Sequence, residues 1–218
     1  MPDVLKTISK AHTQYKLASG TKVPGVTTVL SLLNKPALVK WANNLGLQGI
    51  DSNKYRDAAA DIGTLAHAMI QAHLQNEKLD TSQYSAQQID LAENAALSYF
   101  EWAKQYNVQP IFCEIPLVSE KYQFGGTIDC YCRLNNELTL LDFKTGKAIY
   151  DEYFVQLAAY KQLLTESGHK VKKCRILRIG RDETEGFEER VADRIDKYFS
   201  VFKHLLEVYK LKKQLNWN

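Results

Sequence analysis

Gly125-Gly126-Thr127-Ile128-Asp129-Cys130-Tyr131-Cys132-Arg133-Leu134-Asn135-Asn136-Glu137-Leu138-Thr139-Leu140-Leu141-Asp142-Phe143-Lys144 decides how the rest of the chain is read. Its two halves carry strand-like period-two patterning, over 125–134 and 138–144. Asn135-Asn136 between them suits a two-residue hairpin turn, because Asn tolerates positive φ. That turn sets Leu134 against Glu137, Cys130 against Leu141 and Asp129 against Asp142. Directly opposed side chains have Cβ atoms roughly 4.5–5.5 Å apart, and a bulge would shift the register. Two carboxylates so placed repel each other, so a shared proton or a cation must offset the cost. Lys144, two residues past Asp142, shares its face. Glu114, on a preceding strand, can add a third carboxylate. Hard oxygen donors beside a lysine suit Mg²⁺ or Mn²⁺ with a catalytic base or electrostatic helper. A bare Asp-x-Lys tripeptide is more often a solvated strand face. Here it ends the apolar run Leu138–Phe143, and Gly125-Gly126 stands where backbone can pass close to a ligand.

Working outward, residues 110–118 form a further strand and 172–180 a fourth. Residues 54–76, 84–106, 151–166 and 190–213 have helical spacing. Before them, residues 12–23 alternate around Ser19-Gly20 as a small hairpin. Thr27 or Thr28 can cap a short helix through Leu33. Pro36 opens another helix carrying Leu38, Val39 and Trp41, and a polar stretch runs from Asn43 to Asn53. The expected order is α, α, β, β, β, α, β, α in one α/β domain with a helical N-terminal part. Its divisions are 1–53 (hairpin and short helices), 54–180 (core) and 181–218 (C-terminal helix).

The 218 residues, 45% apolar and 24% charged, are ordinary globular usage and enough to bury a core. No run approaches a membrane span, and Met1–Lys6 shows no secretory signal, so a soluble cytoplasmic protein is expected. The four cysteines, Cys113, Cys130, Cys132 and Cys174, lack zinc-finger or Cys-x-x-Cys spacing and read as reduced and structural. Net charge is +3 but uneven: residues 170–218 hold 13 basic and 8 acidic side chains. That basic quarter suits a polyanion partner or a solvated helix face equally. Thr145-Gly146-Lys147 is no P-loop, because Leu141 and Ala148 stand where Gly and Ser or Thr are needed.

Taken in order, Gly63-Thr64-Leu65-Ala66-His67, Glu114, Gly125–Asp129, Leu141–Gly146 and Gln156-x-x-x-Tyr160 resemble the motifs of the PD-(D/E)xK nuclease superfamily. The RecB-type and phage-type exonucleases are the closest subset. Val26–Leu30 and Lys35–Ala42 also resemble phage relatives, so the likeness covers about residues 12–165. It implies a restriction-endonuclease-like core, a mixed central sheet flanked by helices. It implies Asp129, Asp142, the Phe143 carbonyl and His67 as ligands of one or two Mg²⁺ or Mn²⁺ ions, with Glu114 a further ligand or neighbour. Lys144 would act on the attacking water and the phosphate charge, and Gln156 and Tyr160 would hold the lysine and the DNA backbone. The reaction implied is phosphodiester hydrolysis leaving a 5′-phosphate. Lys147, Lys170, Lys172, Lys173, Arg175 and Arg178 are candidates for phosphate contacts, and Trp41 and Tyr55 for stacking on single-stranded bases. DNA is the expected partner, with a recombination or single-strand-binding protein as a possible second. No iron–sulfur cluster is expected, since no Cys precedes His67 and only Cys174 follows the catalytic strands. The competing readings are a structure- or sequence-specific endonuclease on the same core, a non-catalytic DNA-binding module, and a non-nuclease metal enzyme built on a similar hairpin.

Overall fold

The computed structural model describes residues 13–33 and 35–217, so His12 of the expected hairpin lies outside the described residues. β1 (Tyr15–Lys16) and β2 (Lys22–Val23) pair antiparallel across Ser19-Gly20. Helix α1 (Val26–Leu30) starts at Gly25 without a side-chain cap, and Thr27 and Thr28 lie inside its first turn. The reason is tertiary: Gly25 bridges Gly125, whose N–H donates to the Pro24 carbonyl at 2.9 Å, and this contact fixes where the helix begins. Helix α2 (Pro36–Leu47) runs on through Asn43–Leu47, which polarity alone assigned to a loop.

The two long helices have local start signals. Asp51 caps α3 (Ser52–Gln75) by accepting from the N–H groups of Asn53 and Lys54, and Asn76 ends it in the left-handed conformation. Ser85 and Gln88 form a capping box at α4 (Ala86–Ala103).

Five strands then build one sheet in sequence order: β3 (Val108–Ser119), β4 (Phe124–Leu134), β5 (Glu137–Lys144), β6 (Lys173–Ile179) and β7 (Phe187–Val191). The β5–β6 pair is parallel, joined through α5 (Asp151–Glu166), and the other pairs are antiparallel. Helix α6 (Ile195–Gln214) closes the order. Asn135 and Asn136 have φ of 49° and 70°, and the register sets Leu134 against Glu137 and Cys130 against Leu141, as the two-residue turn requires.

Helices cover both faces. On one, Leu65, Ile70 and Tyr99 of α3 and α4 bury Cys130, Cys132, Leu141 and Leu177. On the other, α1, α5 and α6 bury Tyr131, Leu140 and Ile176 under Val29, Leu157 and Phe202. The expected mixed sheet flanked by helices is therefore present. A further element differs: 190–213 is not one helix. Residues 187–191 form the fifth strand and the helix starts at Ile195, because Glu188 and Glu189 pair with Arg178 and Arg175 across β6.

Candidate active site

The site lies where the β4–β5 hairpin loses its regularity. Cys130 and Cys132 reach the α3–α4 side and Tyr131 the α5 side, as alternation demands. Alternation would also send Ile128 to the α3–α4 side, yet it packs on the α5 side. The same slip occurs on β3, where Cys113 faces α3–α4 and Ile115 faces α5. Both slips fall at one level, Glu114 and Asp129, which drop out of the ladder between Cys113↔Cys130 and Ile115↔Ile128. Glu114 has φ of 52°, a left-handed conformation for a non-glycine residue that costs about 1–3 kcal/mol and concentrates at functional sites.

The irregularity re-aims the acids. The β4–β5 ladder stops at Cys130↔Leu141, so Asp129 and Asp142 do not form the flat opposed pair that the register suggested. Asp129 instead accepts a hydrogen bond from the Phe143 N–H at 2.8 Å. Its carboxylate lies 3.8 Å from His67 Nδ1, and single ligand atoms of His67, Glu114 and Asp129 lie within 4.8 Å of one another. Asp142 is fully buried, and neither of its oxygens has a hydrogen-bond partner. Lys144 Nζ stands 2.5 Å from Asp142 Oδ2, a charge contact without hydrogen-bond geometry. The ammonium also donates to the Phe143 carbonyl at 3.4 Å and lies over the Tyr153 ring, 5.2 Å from its centroid.

Burial governs the protonation of this group. It pushes Asp142 up to about 6, against the opposing pull of Lys144 and with a further upward push from Asp129. Asp129 is also raised by burial, offset in part by Lys144 and the Phe143 N–H. Burial pulls Lys144 down, but Asp142 and Asp129 outweigh it and hold the ammonium above its usual range. These observations fit a divalent cation. The buried Asp142 carboxylate, a clustered His, Glu and Asp, and an adjacent main-chain carbonyl form a donor set dominated by hard oxygen with one imidazole.

Neighbouring segments keep this arrangement tight. A Cβ at Gly63 would stand 2.4 Å from Thr145 Oγ1, so the glycine lets α3, with His67 one turn on, approach the end of β5. A Cβ at Gly126 would stand 2.6 Å from the Tyr160 ring, whose hydroxyl accepts from Gln156 Nε2 at 2.8 Å. Gln156 and Tyr160 thus wall the α5 side, and nearby Asp129 and Asp142 add to burial in raising the tyrosine. Tyr15 was not singled out from sequence. Its ring covers Gly125 and its hydroxyl lies 2.9 Å from Thr127 Oγ1, and the only sequence signal for it was the glycine pair.

The expected nucleic-acid contacts scatter. Lys147 is exposed in the loop that follows the site. Lys170, Lys172 and Lys173 cluster at the other end of β6: Lys173 pairs with Thr139, five residues or roughly 17 Å back along β5 from Lys144. Arg175 and Arg178 are committed elsewhere. Arg175 pairs with Glu189 over the Tyr106 ring. Buried Arg178 pairs with Glu188 and donates to the Glu185 carbonyl and, at 3.4 Å, to that of Gly146. Trp41 and Tyr55 pack edge-on, 6.0 Å apart, between α2 and α3.

A mixed sheet with helices on both faces, and acids beside a lysine at the end of its third strand, defines a nuclease-type core. The chain belongs to the PD-(D/E)XK nuclease superfamily, whose sequence profile matches residues 39–215. No curated protein matches the chain. Similar solved structures include a proposed exonuclease from Eubacterium rectale, 13% identical with a TM-score of 0.47; the match covers 69% of this chain and 65%, just under two thirds, of that one. They also include LHK-Exo, an alkaline exonuclease from Laribacter hongkongensis, 15% identical with a TM-score of 0.34 over 72% of this chain and 90% of that one. The same enzyme in complex with dAMP is similar at 14% identity and a TM-score of 0.35. Among the described residues no helix is long and apolar enough to cross a membrane.

Proposed function

We propose that this protein is a Mg²⁺- or Mn²⁺-dependent deoxyribonuclease that works as an exonuclease on DNA ends, in recombination, repair or related processing. The observation that carries this reading is the buried Asp142 carboxylate, whose Oδ1 has no partner and whose Oδ2 has only the Lys144 ammonium beside it. Such a group is costly to fold around, and its one ion pair with Lys144 does not offset the burial. Asp129, Asp142, Glu114, His67 and the Phe143 carbonyl would hold one or two ions. When bound, the metal polarises a phosphoryl oxygen and lowers the pKa of a water so that it can attack at neutral pH.

The chain's own groups supply the rest. Lys144, kept protonated by its two acidic neighbours, stabilises the negative charge that builds on the phosphate oxygens as water adds and the bond to the leaving 3′-oxygen breaks. Asp142 and the Tyr153 ring hold the ammonium on that side. The hydrogen bond from Phe143 fixes Asp129, so the acid needs no reorganisation during the reaction. Tyr160 and Gln156 complete the wall against solvent. The 5′-phosphate product follows the family resemblance.

The test is cleavage of end-labelled linear and circular DNA, single- and double-stranded, with Mg²⁺, Mn²⁺ or EDTA. Metal-dependent loss of linear DNA alone, lowered at least about a thousandfold by Lys144→Ala, is the expected result. Cutting of circles would replace the exonuclease with an endonuclease. Absence of both cleavage and metal binding would leave a DNA-binding module.

A further inference from the structure

The feature that the site does not account for is a basic depression beyond it, between the N-terminal hairpin and the end of the last helix. Lys22, Lys210 and Lys213 line it with Thr21, Gln123 and Tyr209. Residues 13–25, 119–124 and 209–214, which surround it, contain six lysines and one acid, Glu120. Glu120 already accepts from the Ala18 N–H at 2.6 Å. Among the described residues, none of Lys16, Lys22, Lys210 or Lys213 forms an ion pair; Lys210 donates to the Tyr122 carbonyl at 3.2 Å.

A second observation points the same way. The β1–β2 sheet has only two residue pairs, and one of them sets Lys16 directly against Lys22, both exposed. Like charges directly opposed destabilise a two-stranded sheet, and a sheet this short has little to offset them. A polyanion bound over the pair removes that cost. The hairpin is also bolted to the catalytic strand: Tyr15, next to Lys16, covers Gly125 and reaches Thr127, two residues from Asp129.

We infer that this depression is a phosphate-backbone exosite that holds the nucleic-acid substrate away from the reacting bond. The inference rests on the nuclease reading for the identity of the polyanion. Six residues of extended chain separate Gln123 from Asp129, roughly 20 Å. At about 3.4 Å per nucleotide along one strand of a duplex, this spans about six nucleotides. A substrate shorter than that reaches the acids without touching the lysines.

The experiment compares the whole wild-type chain with Lys22→Ala/Lys213→Ala, both sites being exposed. The probes are a labelled single strand of about 30 nucleotides, a duplex of equal length and a tetranucleotide. Binding of the long probes is measured in EDTA from 50 to 200 mM salt, so that it does not depend on cleavage. The variant's slope of log affinity against log salt is expected to be shallower by about 1.8 on the duplex and about 1.4 on the single strand, so its affinity falls about 12-fold and about 7-fold less over that range. With metal, KM for the long probes rises while kcat/KM on the tetranucleotide is unchanged. Coincident slopes overturn the exosite, and so does an equal loss on the tetranucleotide, which would mean the lysines act through the fold. Binding with the expected slope difference but no cleavage by the wild type keeps the exosite and sinks the nuclease. Cleavage with coincident slopes does the reverse.

Discussion

Two hairpins of the same sheet treat charge in opposite ways. Across β6–β7, the buried and half-buried cations are matched by acids: Arg175 with Glu189, Arg178 with Glu188, and Arg181 with Glu185 in the connecting turn. Glu189 also accepts from Trp102 Nε1 at 2.9 Å, which ties the edge strand to α4. Across β4–β5, Asp129, Asp142 and Lys144 leave two acids against one base, and Asp142 supplies two of the three buried side-chain atoms without hydrogen bonds among the described residues. The third, Arg175 Nε, belongs to a group already paired through its other nitrogen. Neutralised charge holds an edge strand on the sheet. Charge left over at a buried strand end costs stability, which is the mark of a group kept for binding.

Asp142→Asn breaks the comparison hardest. DNA cleavage is expected to fall at least about a thousandfold. Stability in EDTA should move the other way. The folded pKa of Asp142, about 6, lies above its ordinary 3.8, so the folded chain holds this proton more tightly than the unfolded chain. The resulting stabilisation is complete below about pH 4 and is lost as pH rises through 6, on the order of 3 kcal/mol. The asparagine variant lacks that loss and should melt above wild type at pH 8. Thermal melts of both from pH 4 to 8 decide it, and a wild-type-minus-variant difference that stays flat with pH would refute it.

Arg175→Ala probes the balanced hairpin. Leaving Glu189 in a largely buried place without its cation should cost about 3 kcal/mol. Cleavage per folded molecule should stay within a factor of about two, since Arg175 lies on the α3–α4 side, away from Lys144. Urea unfolding read beside the cleavage rate separates the two effects. A large loss of activity with stability intact would return Arg175 to the phosphate contacts expected from sequence.

That expectation shows what the sequence could and could not reveal. The β4–β5 hairpin was legible because its signals are local: alternating apolar residues and an Asn-Asn turn that sets the register as far as Cys130 and Leu141. The slip at Glu114 and Asp129 was not legible, because a left-handed glutamate within a strand has no composition signal. Strand β7 was missed because Phe187-Glu188-Glu189-Arg190-Val191 has too little apolar alternation to announce a strand. It becomes one through Arg175 and Arg178, partners more than nine residues away. The same pairing is why those two arginines, counted from sequence as free positive charge, are engaged by acids and carbonyls. Gly63-Thr64-Leu65-Ala66-His67 was legible as a pattern, while the reason for its glycine needed the Thr145 contact.

That contact carries the smallest expected effect and the finest test of how the site is built. Gly63→Ala gains about 1 kcal/mol of helix propensity. Against this, the new methyl meets Thr145 Oγ1 at 2.4 Å, and overpacking of this kind costs roughly 1–3 kcal/mol. Net stability should therefore change by only about 1 kcal/mol. Activity is more exposed, because relief comes by tilting α3, and His67 sits one turn further along it beside Asp129. Removing the hydroxyl should restore the fit, since the Thr145 Cβ lies at an ordinary 3.5 Å from the added methyl. Gly63→Ala/Thr145→Ala should then recover the cleavage lost by Gly63→Ala alone and melt above wild type. If the double variant is as inactive as the single one, the glycine serves something other than the approach of α3 to β5.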